Sequence, residues 1–146
     1  MEHFAATIAK VGIHGVGATG ECLGRTPVGV FTVTLTFGNE PTHGTRMPYF
    51  RVGPDDWWDE NPASPGHNRH VVSAYSPGGH SKYLYVAGVA YSHAVVINYN
   101  TGPVVKGSGS GFVVHVSSGY RTVGRVVINC GCSTRSCAGS RRVTVR

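Results

Sequence analysis

Residues 115–128, HVSSGYRTVGRVVI, put a histidine at the end of a β-forming run, then a glycine-containing loop, then a second β-forming run that opens at Arg125. Histidine suits a general base because its ordinary pKa lies near neutrality. A strand end would hold His115 rigidly while leaving it exposed. Such a base would serve a nucleophile at the far lip of the loop, where backbone N–H groups are available to an oxyanion.

Other groups invite different chemistry. His67 and His70 form an H-x-x-H pair, with His80 and His93 downstream. Three imidazoles can hold zinc. No carboxylate or strand geometry supports such a site, and Gly66-His67-Asn68 reads as loop, so no metal is expected. Asp55, Asp56, Asp59 and Glu60 raise a glycosidase reading, which needs two acids facing each other across a sugar. All four fall in one loop, so a solvated cluster is the expectation. Trp57 and Trp58 would stack on a sugar ring or cap the core, and core capping is favoured. Of the four cysteines, Cys130, Cys132 and Cys137 crowd the tail and Cys22 stands alone. One C-x-C plus a further Cys falls short of two paired zinc knuckles, leaving unpaired or incidentally paired thiols. GVGATG, residues 15–20, lacks the Lys-Ser/Thr and the following helix of a phosphate loop.

The elements that would position these groups are β-strands. VFTVTLTF, residues 30–37, alternates Phe31, Val33, Leu35 and Phe37 with threonines, the pattern of a half-buried strand with one apolar face. Thr26-Pro27 sets its start, since Pro fixes its own φ and holds the preceding residue extended. Further strands are expected over 83–89, 93–99, 111–116 and 125–129, with a possible extension at 104–106 and an edge strand over 4–11. Residues 12–29 read as loop. Residues 38–70 hold Asn, Pro, Gly and Asp without a sustained period and read as a long loop region anchored by Tyr49, Phe50, Trp57 and Trp58. Beyond Asn129 no apolar period remains except a possible short VTV strand. The fold class expected is all-β, a sandwich or barrel.

At 146 residues the chain is one domain by size. Only 14% of residues are charged and 21 are glycine, which seldom fills helix interiors. The net charge of +6 is partly local, with Arg135, Arg141, Arg142 and Arg146 near the C-terminus. It admits an anionic partner. Without aromatic–basic interleaving or a basic helix, nucleic acid is not expected. No stretch approaches the roughly 18 apolar residues of a membrane span. Residues 1–12 are too short and too weakly apolar for a signal peptide, so the chain is cytosolic or its leader is absent.

The segment around His115 resembles the active-site signature of the L,D-transpeptidase (YkuD-like) catalytic domain family, in its compact actinobacterial form. There a His-Val is followed by Thr-x-Gly-Cys-Val-x-Ile. Upstream, Thr26-Pro27, Gly29 and Phe31 are similar to a Thr-Pro-x-Gly-x-Phe element, and residues 44–49 to Gly-Thr-Arg-x-Pro-Tyr. Asp56-Trp57-Trp58 and residues 96–100, VINYN, match as well. The likeness covers about residues 12–129, so residues 1–129 read as an L,D-transpeptidase-like domain and 130–146 as an atypical Cys/Arg/Ser-rich tail. It implies a β-sandwich with long loops.

By this resemblance His115 is the catalytic His, Gly124 precedes the nucleophile and shapes the oxyanion hole, and Thr122 opens the Gly-Cys motif. Ser117, Ser118 and Gly119 form the loop that orients the His ring. The family nucleophile is Cys, but Arg125 stands there. A guanidinium stays protonated and cannot attack an acyl carbon. The resemblance implies acyl transfer from a peptidoglycan tetrapeptide stem through a thioester to an amine, and the chain with Arg125 is expected not to turn over. A non-catalytic wall-binding module is the rival. No cofactor or metal is implied, the partner is the stem peptide, the chain is expected to be a monomer, and its location is extracytoplasmic, in the wall or secreted. The tail lacks the family's Leu/Trp-bearing helix, and its composition is that of a translated shifted frame.

Overall fold

The computed structural model describes residues 9–42, 44–117, 125–128 and 142–146. The chain is β-rich, a mixed sheet curled into a half-barrel with one short helix. The strands are β1 (Ala9–Lys10), β2 (Gly29–Gly38), β3 (Tyr49–Arg51), β4 (Asp56–Asp59), β5 (Arg69–Val72), β6 (Lys82–Tyr83), β7 (Ala94–Ile97), β8 (Val113–Val116), β9 (Val126–Ile128) and β10 (Arg142–Val145), with a 3₁₀ helix over Tyr85–Tyr91. The main sheet runs β1-β9-β8-β7-β2-β10, with β3 also paired to β2. A small sheet runs β5-β4-β6. β8 and β9 are parallel, as are β2 and β3, and the remaining neighbours are antiparallel.

β7 (AVVI) and β8 (VVHV) are buried at every residue. Strands covered on both faces read as continuous apolar runs rather than alternating ones. One face of the main sheet packs Val33, Ile97, Val114, Val126 and Val145 together. The other packs Phe37, Val96 and Val113 against Trp58 of the small sheet and against Leu84 and Tyr91, which flank and end the 3₁₀ helix.

β2 departs from the single apolar face that its alternation implies. Val33 pairs with Ile97 and Leu35 with Val96, so two residues of β2 span one step of β7. This bulge switches faces: Phe31 and Val33 pack on one side of the sheet, and Leu35 and Phe37 on the other. Thr36, expected to face water, is 3% exposed, and its hydroxyl donates to the Pro48 carbonyl.

Three further expectations are corrected. The loop expected over 38–70 contains β3, β4 and the start of β5. These strands are short, and β4 and β5 carry buried Asp56, Trp58 and Asp59 and half-buried His70, which hides their period. The strand expected over 83–89 is β6 followed by the 3₁₀ helix. There Leu84, Ala87, Ala90 and Tyr91 turn to the core while Tyr85, Val86 and Val89 are exposed, a period of three to four rather than two. Residues 104–106 do not join the ladder. The Asn100 side chain takes the Val105 N–H and donates to the Val105 and Gly109 carbonyls instead. The short VTV strand is present as β10, paired along residues 29–32 with Val145 buried. The rest of the tail, 130–141, lies outside the described residues.

Candidate functional site

His115 and Arg125 come together on the main sheet for a reason of register. Val114 pairs with Val126, and both side chains enter the first core. His115 and its partner Val127 therefore turn to the opposite face, and Arg125, two residues before Val127, turns with them. Across the gap, Trp58 of β4 pairs with Lys82 of β6 and enters the second core. Lys82 shares that inward face, and Glu60, two residues past Trp58, extends it. The site is thus an inter-sheet cleft: His115 and Arg125 from one wall, Glu60 and Lys82 from the other.

The centre of the cleft is an ion pair. Arg125 Nη2 lies 2.8 Å from Glu60 Oε1, and each side chain keeps 17% of its surface exposed. The Glu60 N–H donates to Ser81 Oγ at 3.1 Å, which anchors the backbone there. Gly111 forms the floor: at φ +68 it holds a conformation that favours glycine, and a β-carbon on it would collide with the Glu60 carboxylate. Its N–H donates to Asn68 Oδ1 at 2.9 Å, the same oxygen that accepts from the Trp58 indole at 3.1 Å. Asn68 Nδ2 donates onward to the carbonyls of Tyr99 and Asn100. One buried amide therefore ties Trp58, the cleft floor and the 99–100 turn together.

His115 is 4% exposed, contrary to the exposed strand-end histidine expected, because β9 and the 3₁₀ helix cover it. The Tyr91 ring meets the imidazole edge to face at 5.4 Å. His115 Nδ1 bonds the Val116 carbonyl at 2.9 Å. Burial pushes the imidazole pKa down; Val116 and Ala90 hydrogen bonds oppose this, and the charges of Arg125 and Lys82 add to it. Burial also pushes Glu60 up, against the pull of Arg125 and Lys82 and with the push of Glu21. Lys82 is lowered by burial and then by Arg125, with Glu60 opposing. At His115, Glu60 and Lys82 burial is the leading cause and disfavours the charged form, whatever its sign.

Of the residues expected at the site, His115 and Arg125 share the cleft, while Ser118, Thr122 and Gly124 lie outside the described residues. The acidic cluster is not solvated. Asp56 accepts from Gly53 N–H and meets His70 Nε2 at 2.6 Å; Asp59 accepts from Asn61 N–H and the hydroxyls of Ser64 and Ser81; Glu60 holds Arg125. Only Asp55 is exposed. These carboxylates serve separate partners and do not face one another as a pair.

His67 and His70 do not converge. His67 Nε2 lies 3.2 Å from Glu21 Oε1, while His70 pairs with Asp56 under the Phe50 ring. No group of three metal-ligating side chains occurs among the described residues. Trp58 is core, and Trp57 stacks on Tyr83 with its indole N–H donated to Ser73 O. Cys22 is exposed. Lys82 and Asn68 were not singled out in the sequence: Lys82 lies just ahead of the run read as strand over 83–89, and nothing in the neighbours of Asn68 announces a buried hub.

No family model, curated protein or solved structure matches the chain.

Proposed function

We propose that the chain is an L,D-transpeptidase-type domain of the cell wall, built to receive peptidoglycan stem peptides and silenced at its nucleophile position by Arg125. The finer fold reading, a transpeptidase-like sandwich, belongs to the same proposal. The single observation that carries it is the shared face of His115 and Arg125 on parallel, adjacent strands. Residues on neighbouring strands offset by two lie roughly 7–8 Å apart at Cα, within reach of a base and a nucleophilic side chain. A Cys at position 125 would face the cleft that holds His115. With Arg there, the guanidinium is bound to Glu60 and has no acyl chemistry to offer. Ser118, Thr122 and Gly124 keep the loop and oxyanion roles that the resemblance implies.

The test is intact-mass analysis after incubation with a carbapenem, an acylating probe for a Cys–His site. Arg125→Cys is made together with Glu60→Gln, so that no unpaired carboxylate is left in the cleft. The expected result is an adduct on the substituted protein, mapped to position 125, and none on the chain as it stands. Adducts confined to Cys22 or the tail cysteines would overturn the transpeptidase reading. Stem-peptide affinity with no adduct at position 125 would transfer the assignment to a wall-binding module.

A further inference from the structure

Three buried polar atoms meet where the 12–29 loop touches the turn ahead of β5. His67 Nδ1, His67 Nε2 and Glu21 Oε1 are shielded from water and make no hydrogen bond. The His67 side chain is 2% exposed and that of Glu21 27%, and Nε2 lies 3.2 Å from Oε1. An imidazole offers a donor and an acceptor when neutral and two donors when charged. Neither form is satisfied here, because closeness without alignment is not a hydrogen bond, and buried polar groups left so call for a partner. Both groups are held from behind. The Asn68 N–H donates to Asp59 O at 2.6 Å, and the Asn68 side chain accepts from Gly111, which fixes the turn that carries His67. On the loop, the Thr19 hydroxyl donates to Ser108 O at 3.0 Å, and Ser110 Oγ lies 3.4 Å from Glu21 Oε2.

We propose that His67 Nε2 and Glu21 Oε1 are the two protein ligands of a zinc site that clips the 12–29 loop to the turn ahead of β5. This goes beyond the transpeptidase reading and does not depend on it. Zinc takes an imidazole nitrogen at about 2.0–2.1 Å and a carboxylate oxygen at about 2.0–2.2 Å. Two such ligands 3.2 Å apart subtend roughly 100° at the metal, near the tetrahedral angle. The metal replaces the proton on Nε2, leaving the ring proton on Nδ1, and it neutralises a carboxylate otherwise set against a buried imidazole. Among the described residues no third His, Cys, Asp or Glu joins the pair, so water completes the shell from the side on which Glu21 is open to solvent. The site is therefore exchangeable, and it stabilises the fold by holding two loops together.

The test uses the full chain carrying Cys22→Ser, Cys130→Ser, Cys132→Ser and Cys137→Ser, which removes the thiols that would compete for the metal. It is titrated with zinc chloride against a chromophoric chelator, and unfolded in urea with and without zinc. Saturable uptake of one equivalent and a raised urea midpoint are expected. In the same background, Glu21→Gln should weaken binding by about tenfold or more and erase the midpoint shift. His67→Gln should do the same. Glu21 is partly exposed and Gln keeps its shape, so Glu21→Gln decides alone if His67→Gln does not fold. No zinc uptake by the thiol-free chain would overturn the site. So would an affinity that Glu21→Gln leaves unchanged, which would assign the metal to other histidines.

Discussion

Arg125 and Glu60 differ in how each can respond to the loss of the other. A glutamate left alone in a desolvated cleft can take up a proton and become neutral; a guanidinium cannot lose one. Removing one partner of a buried pair costs about 3–5 kcal/mol. The residual exposure of 17% on each side here moves the expectation to about 2–3 kcal/mol. Glu60→Gln should therefore destabilise the fold by about that much at pH 7 and by more at pH 5, where the unaltered chain gains stability as Glu60 begins to take up its proton. Arg125→Met should cost less at pH 5 than at pH 7, because Glu60, already pushed up by burial, then protonates. Arg125→Met/Glu60→Gln should fall well short of the sum of the two single losses. Urea unfolding of the three variants at the two pH values reads all of this. Additive losses, or a Glu60→Gln cost that shrinks on acidification, would mean that the pair does not hold the cleft.

At the scale of elements, the end of β2 is fastened to the end of the 3₁₀ helix. Asn39 N–H donates to Tyr91 O and Glu40 N–H to Ser92 O, and a β-carbon on Gly38 would run into the Ser92 carbonyl. That obstacle is backbone and cannot rotate away. Gly38→Ala should therefore lie at or above the upper end of the overpacking range, about 3 kcal/mol, read as a fall in urea midpoint. Gly111→Ala serves as comparison: beyond the strain of placing Ala at φ +68, its obstacle is a carboxylate at the end of a rotatable side chain, so the steric damage should fall on the Arg125 pair. A Gly38→Ala midpoint equal to that of the unaltered chain would refute the close approach.

The same elements explain what could be read in advance. β7, β8 and β9 were legible because burial on both faces leaves an unbroken Val/Ile run, and the positions of His115 and Arg125 followed from them. β2 was legible as a strand but not as a strand that changes faces, because a bulge leaves the alternating pattern untouched and only shifts its partner. β3 was hidden because it is only three residues long, and β4 and β5 because polar residues interrupt their apolar pattern: Asp56 and His70 satisfy each other, and Asp59 is satisfied by turn N–H and hydroxyl groups. A pattern method counts such residues as surface. The Glu60–Arg125 pair and the place of Lys82 needed the small sheet, so they were out of reach for the same reason.

For the whole molecule, the cleft between the two sheets couples folding to pH through groups of opposite tendency. His115 faces Arg125 on its own sheet, Lys82 across the gap and Tyr91 from the helix, and its pKa is lowered, first by burial. As pH falls through about 6.5, the unfolded chain protonates this imidazole while the folded chain does not. The unfolded state then binds more protons, and stability drops. That contribution is complete above about 6.5 and is lost as pH falls toward the lowered folded value, levelling off below it. Glu60 runs the other way. Its folded pKa is raised, so as pH falls toward the ordinary carboxylate range the folded state takes up the proton first and gains stability. Urea midpoints measured from pH 8 down to pH 5 should therefore decline below about pH 7 and then flatten. In His115→Asn the first decline should shrink, and in Glu60→Gln the flattening should disappear, leaving a steeper fall. A midpoint in the unaltered chain that holds steady from pH 8 to pH 6, or a His115→Asn curve that overlays it, would show that the imidazole is not held out of water by the closed cleft, and the packing of the small sheet over the His115 face would have to be abandoned with it.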